Sequence, residues 1–584
     1  MKKINILIYC LLTFSFTACS SHSGQMNIDN KGKHIIANPL NLNYKFQPAD
    51  KDPSRREAAD PVVEYFNGKY YLFASKSGGY WSSPDLYKWE YIPCKTIFEI
   101  NNYAPAILVR NDSLYFIASG SKIYRTANPD IDNWEQLDTN LRHLGNPSDP
   151  FHDPAFFQDD DGRVYLFWGC SDKDPIEGIE LDTSNSFATI GKPVALIEHN
   201  IDKYGWEEPG VNNEERRNGW NEGPCVIKHK GKYYLQYAAP GTQYRIYGDG
   251  TYVSDSPLGP YTYVESSPFS FKPGGFIGGA GHGHTFKDKY GNYWHVATML
   301  VGVRHWFERR IGLFPTYMST NDELHSHTVL TDYPFYIPDE KTDFENNDFS
   351  MKWNMLSYRK DVTASSFLPG YKPNLANDEK IETWWSAATG NKDEWWQVDL
   401  GKQMEVNAIQ INFADHDFNT IAPNSVYYQY FIECSENGKG WKTIIDRNSN
   451  TKDMPHELVV LDSPVNTRYI RIKNTKNMEG KFSLYDFRVF GNGLGELPRE
   501  SADIKVDRDE NDNRIIRLNW KMENNATGYI VRWGVKKDQL KNAKMVYENS
   551  FEGRFFNRDS EYYFSVDTFN ENGITNGTQV LKAE

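Results

Sequence analysis

Asp60-Pro61 leads into residues 62–75, VVEYFNGKYYLFAS: an apolar strand, an Asn-Gly turn and an aromatic strand. Apolar runs on both sides of Asn-Gly are a β-hairpin signature. The pattern returns four times. Ala104-Pro105 precedes AILVRNDSLYFIAS (106–119), and Asp153-Pro154 precedes AFFQDDDGRVYLFWG (155–169). Gly223-Pro224 precedes CVIKHKGKYYLQYA (225–238), and Gly283-His284 precedes TFKDKYGNYWHVA (285–297). The starts at 60, 104, 153, 223 and 283 lie 44, 49, 70 and 60 residues apart. A four-stranded propeller blade takes about 40–50 residues, and the longer steps leave room for loops. The repeats therefore predict a five-bladed β-propeller over 50–340. A sandwich with coincidental hairpins is the alternative.

Composition agrees with an all-β protein. The chain has 584 residues, enough for three or four average domains. Aromatic residues make up 15%, which argues against disorder. Mean hydropathy is −0.67, which argues against a membrane channel. With 64 basic and 78 acidic residues the net charge is −14, so nucleic acid is an unsuitable partner.

The first residues read as an address. Lys2-Lys3 precede an apolar run that ends in Phe16-Thr17-Ala18-Cys19. A basic start, a short apolar core and small residues before a cut site make an export signal over 1–19. Cys19 after Thr17-Ala18 resembles a bacterial lipobox, which implies a lipid anchor at Cys19. Residues 20–49 then form a tether. The periplasmic face and the cell surface both remain open as locations. The other cysteines, Cys94, Cys170, Cys225 and Cys434, are scattered without metal-type spacing and read as buried thiols. One disulfide is the alternative in an exported protein.

In a propeller the innermost strands converge on a central channel, so residues just before them cluster at one mouth. Those positions hold Asp60, Asp153, Glu222 and His282. Three carboxyl groups and a histidine on one rim form a candidate catalytic constellation, although each Asp-Pro alone is also an ordinary turn start.

The order Asp-Pro, Asp-Pro, Glu-Gly-Pro, Gly-His-Gly over five blades resembles glycoside hydrolase family 43. Tyr204-Gly205-Trp206-Glu207, Tyr233 to Tyr237, and Arg309 with Leu313 and Pro315 extend the match. The resemblance implies inverting, exo-type release of a terminal sugar without an organic cofactor. Inversion needs two carboxyl groups about 6.5–9.5 Å apart, one to activate water and one to protonate the leaving oxygen. By the resemblance Asp60 is the base and Glu222 the general acid. Asp153 is the carboxylate that raises the acid's pKa. His282 helps to hold a calcium ion in the channel, with His284 as a competitor. Arg309 reaches the substrate and the acid-modulating carboxylate. Trp206, Trp220 and Trp306 are each a stacking wall for sugar or core packing. Glu207 and Glu208 read as a solvated loop. Asp159 to Gly162 read as an acidic turn rather than a metal loop.

Residues 341–354 form a linker. Over 355–492, Leu375 to Asp378, Thr383-Trp384-Trp385, Trp395 to Gly401 and Asp486 to Gly491 resemble a discoidin or coagulation-factor type C jelly roll. The resemblance implies a structural calcium with Asp378, Thr383 and Asp486 as side-chain ligands. The Trp384-Trp385 and Trp395-Trp396 pairs read as core more than as sugar platform. Residues 499–584 alternate with period two and resemble fibronectin type III, an immunoglobulin-like sandwich.

The leading functional expectation is an exo-glycosidase releasing α-L-arabinofuranose or β-D-xylose from plant-type polysaccharide or oligosaccharide. A β-galactofuranosidase or exo-galactosidase of the same family is the alternative, as is an inactive glycan-binding lipoprotein. A retaining, fructan-acting propeller is a further one.

Overall fold

The computed structural model describes residues 32–47, 55–139, 141–144, 151–419 and 426–584. The expected export signal over 1–19, Cys19 included, lies outside the described residues. Every described element is a β-strand or a short 3-10 turn.

Five antiparallel sheets build the propeller: four have four strands, and that of blade IV has six. Blade I runs Ala59–Phe66, Lys69–Ser75, Gly79–Ser83 and Glu90–Pro93. Blades II, III, IV and V begin with Ala106–Arg110, Ala155–Gln158, Asn221–His229 and Gly278–Lys287. Each innermost strand touches the next, and the fifth touches the first, so the ring closes. The quoted hairpins are the two inner strands of each blade. Asn67 and Gly68 both have positive φ (47° and 86°), as the tight primed turn requires.

Much of the aromatic share packs between and within blades. Phe73 stacks on Tyr80 at 4.4 Å and meets Trp134 edge-on at 5.8 Å. The four described cysteines are free thiols. Three are buried, as expected; Cys170 is only partly buried.

The second unit is a jelly roll. Two long bent strands, Trp395–Phe413 and His456–Asn477, run through one continuous eight-stranded sheet. Trp385 and Trp396 are fully buried in its core with Phe413, Ile472 and Phe487. Their neighbours Trp384 and Trp395 are only half-buried, so each pair contributes one core ring. The last unit is a sandwich of a three-stranded and a five-stranded sheet. Its Trp520, Trp533, Phe555 and Phe556 share one apolar cluster with Trp206 of the loop before blade IV and with Tyr237 and Phe271 of that blade, so it is packed onto the propeller rather than held away from it.

Candidate active site

The site is built from a backbone irregularity that recurs in every blade. Asp60, Ala104, Asp153, Gly223 and His282 have φ of 51°, 50°, 52°, 58° and 46°. A non-glycine residue in this left-handed region costs about 1–3 kcal/mol, and such strain collects at functional sites. In blades I, IV and V the ladder slips here, between Ala59 and Val62, between Glu222 and Cys225, and between Gly281 and His284. A bulge re-aims the side chain beside it.

This register refines two expectations. Blade V starts at His282 and not at Gly283, so Gly283 occupies the proline position and His284 lies one place further along the strand. In blade IV the left-handed residue is Gly223, and Glu222 stands one place earlier. A Cβ on Gly223 would lie 2.5 Å from the His282 ring, so glycine is required there for space as well as for φ.

Four of the five left-handed residues are clamped by a neighbouring blade. The Asp60 N–H donates to Thr298 Oγ1 of blade V at 2.8 Å. The Ala104 N–H donates to Ser75 Oγ of blade I at 2.7 Å. The Asp153 N–H donates to Ser119 Oγ at 3.0 Å, and the His282 N–H to Asp249 Oδ1 at 2.8 Å. Asp249 also accepts from the Gly283 N–H at 3.0 Å and lies 2.8 Å from His295 Nε2.

Three of the predicted residues meet around one imidazole. His282 Nδ1 lies 3.5 Å from Asp60 Oδ1 and 3.6 Å from Asp153 Oδ2. Burial works against a charge on His282, but Asp60, Asp153, Glu222 and Asp249 together hold its pKa above the ordinary value. Burial also works to raise Asp60. Arg309, His282, Ser75 and Thr298 outweigh it and keep Asp60 below the usual carboxylate range. Ser75 Oγ donates to its Oδ2 at 2.5 Å, and Arg309 Nη1 to its Oδ1 at 3.2 Å.

Glu222 has the opposite setting. Burial, then the negative charge of Asp153, pushes it up to about 7. The Tyr247 hydroxyl donates to its Oε1, and the Cys170 thiol to its Oε2 at 3.1 Å. Burial and Asp60 raise Asp153 as well, with His282 opposing. One polar atom each of Asp153, Cys170 and Glu222 lie within 4.8 Å of one another. Two buried carboxyl groups that close do not both ionise readily.

Cys170 was not singled out from the sequence. Its short strand Cys170–Ser171 crosses from blade III to pair with Asn221 and Glu222. Only that crossing makes it a partner of Glu222, and its string position at the end of the third hairpin was the available signal. Ser75 and Ser119, which end the first two hairpin strings, carried the same kind of signal.

Other expectations are corrected. Arg309 is 2% exposed and ion-pairs with Asp60 and with Glu57 (3.0 Å), not with Asp153. Its guanidinium lies 4.6 Å from the Phe307 ring centre. Trp206 is fully buried, donates to the Tyr263 hydroxyl at 3.0 Å and packs on Tyr237, so it is core and not a sugar platform. Glu207 and Glu208 are buried rather than solvated: Glu207 accepts from Tyr237 at 2.5 Å, and Glu208 pairs with Arg216 and Arg514. The turn was closed by loop packing that composition does not encode. Trp306 is 57% exposed and stacks on Phe307 at 5.1 Å, the geometry of an available platform. Trp220 is also exposed. Asp159 does sit in a turn, holding Lys228 and Tyr233.

In the jelly roll, Asp378, Thr383 and Asp486 converge. Thr383 Oγ1 lies 2.9 Å from Asp378 Oδ2, and Asp486 Oδ2 accepts the Glu379 N–H at 2.9 Å. Burial pushes Asp378 up to about 6 and Asp486 well above the ordinary range, the latter reinforced by Glu379 and Asp378. Asp486 Oδ1 is buried without a hydrogen-bond partner.

Comparison with known proteins agrees with this geometry. Residues 54–321 match the model for glycosyl hydrolases family 43, and residues 361–487 match the F5/8 type C domain. A β-D-galactofuranosidase from Aspergillus niger is 25% identical over 262 residues, 39% of this chain and 68% of that protein. An arabinoxylan arabinofuranohydrolase from Paenibacillus polymyxa is 26% identical over 347 residues, 49% of this chain and 51% of that protein. The chain thus spans about half to two thirds of the length of these relatives. A solved structure described as a glycoside hydrolase is 20% identical, covering 77% of this chain and 100% of that one, with a TM-score of 0.44. The propeller is a glycoside hydrolase domain of family 43, and an F5/8 type C domain follows it.

Proposed function

We propose that this glycosidase is exo-acting and inverting, and that it releases a terminal α-L-arabinofuranose or β-D-xylose unit from plant-type glycans. The observation that carries the mechanism is the divergence of two carboxyl groups on one rim. Asp60 is held ionised, and Glu222 is held up at about 7. Environments that push two such pKa values apart divide the roles of base and acid.

Asp60 accepts a proton from a water molecule, whose oxygen bonds to the anomeric carbon on the face away from the leaving group. Glu222 gives its proton to the glycosidic oxygen as the carbon–oxygen bond breaks. Asp153 keeps that proton on Glu222 near neutrality. Arg309, Ser75 and Thr298 fix the orientation of Asp60. Trp306 offers a face on which a sugar ring stacks.

The name of the Paenibacillus relative supports arabinofuranose, and that of the Aspergillus relative supports galactofuranose as the second reading. Hydrolysis of a panel of nitrophenyl arabinofuranoside, xyloside, galactoside and galactofuranoside separates them. Proton NMR of the first turnover tests the mechanism. The initial product anomer is expected to be inverted; a retained anomer overturns the roles of Asp60 and Glu222.

Calcium enters this reading as a structural ion. In the jelly roll the donors fit it: Asp486 Oδ1 is buried without a partner, the charge of Asp378 acts on Asp486, and Asp378 holds the Thr383 hydroxyl; calcium takes oxygen ligands from carboxylates. Asp378, Thr383 and Asp486 would hold it. At the propeller mouth the oxygens facing His282 belong to Asp60 and Asp153, so an ion there would draw most of its shell from water. An ion bound only by the folded state at about 100 times its Kd adds about 2.7 kcal/mol. Adding millimolar calcium after chelation is therefore expected to raise the Tm by roughly 5–10 °C, and Asp486→Asn is expected to abolish the rise. An unchanged Tm in the wild type would rule out the site.

A further inference from the structure

Three arginines of the propeller turn away from the site and enter the jelly roll. Successive side chains on a strand point to opposite faces. In Arg55–Glu57, Glu57 faces Arg309, while Arg56 donates to both carboxylate oxygens of Asp415 at 2.7 and 3.2 Å and to Asp453 at 2.6 Å. In Arg309–Met318, Arg309 faces Asp60, while Arg310 Nε meets His456 Nε2 at 2.9 Å. Arg310 also donates to the carbonyl of Arg56 at 2.9 Å, which joins the two segments.

The third is Arg304, in the loop between Tyr293–Leu300 and Arg309–Met318. Its Nη1 donates to Glu308 at 3.0 Å and to the Tyr485 hydroxyl at 2.7 Å, and its Nη2 donates to the Ala414 carbonyl. The guanidinium also lies 5.5 Å from the Trp384 ring centre. The Tyr485 hydroxyl reaches Glu308 Oε1 at 3.0 Å. Glu308 is fully buried. The loop is thus tied at its base to the jelly roll, and its tip carries the exposed Trp306 on Phe307.

We propose that the jelly roll is part of the catalytic apparatus of the propeller. Tyr485, Asp415 and His456 are positioning residues. Through Arg304 they hold the Trp306 platform, and through Arg56 and Arg310 they hold the Glu57–Arg309–Asp60 chain. This rests on Asp60 being the base and on the mouth being the sugar site. Arg56 and Arg310 are each one peptide unit from a residue of the Glu57–Arg309–Asp60 chain, so slack at the interface reaches Asp60 directly, and Arg304 is two residues from Trp306. A misplacement of about 1 Å at a reacting group can cost 10²-fold in rate. A module that only tethers the enzyme to polymer would leave a small soluble substrate unaffected.

The test uses the full chain and the nitrophenyl glycoside that the wild type hydrolyses. Tyr485→Phe is expected to raise KM about three- to tenfold, the range of one lost aromatic contact, with kcat within about twofold. Asp415→Asn is expected to lower kcat about tenfold or more with KM little changed. Loss of folded enzyme alone would lower kcat in both variants but would move neither the KM of the tyrosine variant nor the acid limb of the pH profile, which a loosened Arg309–Asp60 pair in the Asp415 variant is expected to move. If Asp415→Asn fails to fold, Arg304→Lys and Arg304→Met replace it: the lysine is expected to retain most of the wild-type KM, and the methionine is not. Wild-type kcat and KM in these variants overturns the proposal alone. A wild-type chain inactive on every glycoside of the panel overturns the reading of the site, and the proposal with it.

Discussion

Asp60→Asn is expected to lower kcat by roughly two to four orders of magnitude, the usual share of general acid–base catalysis. KM and Tm should stay close to wild type. Asparagine keeps the shape of the side chain and an oxygen for Arg309 Nη1, and the Ser75 hydroxyl can rotate to accept from the amide. What is lost is the basicity. In the wild type Arg309, His282, Ser75 and Thr298 keep the carboxyl ionised against burial, so it is ready to accept a proton over the whole neutral range. An amide cannot accept one. A purified Asp60→Asn variant with near-wild-type kcat would exclude Asp60 as the base, and Glu57, next along the Arg309 pair, would be the residue to examine.

Glu222→Gln should show a loss that depends on the leaving group. A sugar or alkyl alcohol leaves poorly as an anion and needs the proton, so the loss there is expected to be about 10³-fold. A dinitrophenolate leaves unaided, and most of the rate should return. The pH profile gives a second signature. The acid works only while protonated, so activity falls as pH rises through about 7, the value set by burial and Asp153. On the other side, Asp60 works only while ionised, and its lowered pKa places that limb in acid solution. The glutamine variant should lose the upper limb and keep the lower. Equal losses for both leaving groups, with the upper limb intact, would remove Glu222 from the role.

The fold was legible because a hairpin is a local object. Strand, turn and strand fall within about fifteen residues, and five copies in series leave few arrangements other than a ring. The rim residues were legible for the same reason, since each one marks the start of a copy. Partnerships across blades were not. Arg309 ends on Asp60, 249 residues away, and no periodicity distinguishes that carboxylate from Asp153. Trp206 lies within a matching segment, but the last sandwich packs against it in one buried cluster. Cys170 looked like a stray thiol because the strand that brings it to Glu222 leaves its own blade. Glu222 was found through its Glu-Gly-Pro string, although the structural equivalent of Asp60 in that blade is Gly223.

The hydrogen bond from the Asp60 N–H to Thr298 joins residues 238 apart, between the first blade and the last. Asp60 therefore sits at the seam of the ring. In an open or partly assembled ring it would lack Thr298 and, with it, Arg309 from the same last blade, and burial would no longer be countered by that charge. Hydrolytic competence thus depends on the closed ring. An incomplete or nicked chain that kept four sound blades would carry the carboxyl groups and still be inert, so the turnover of a sample is also a gauge of how much of it has closed.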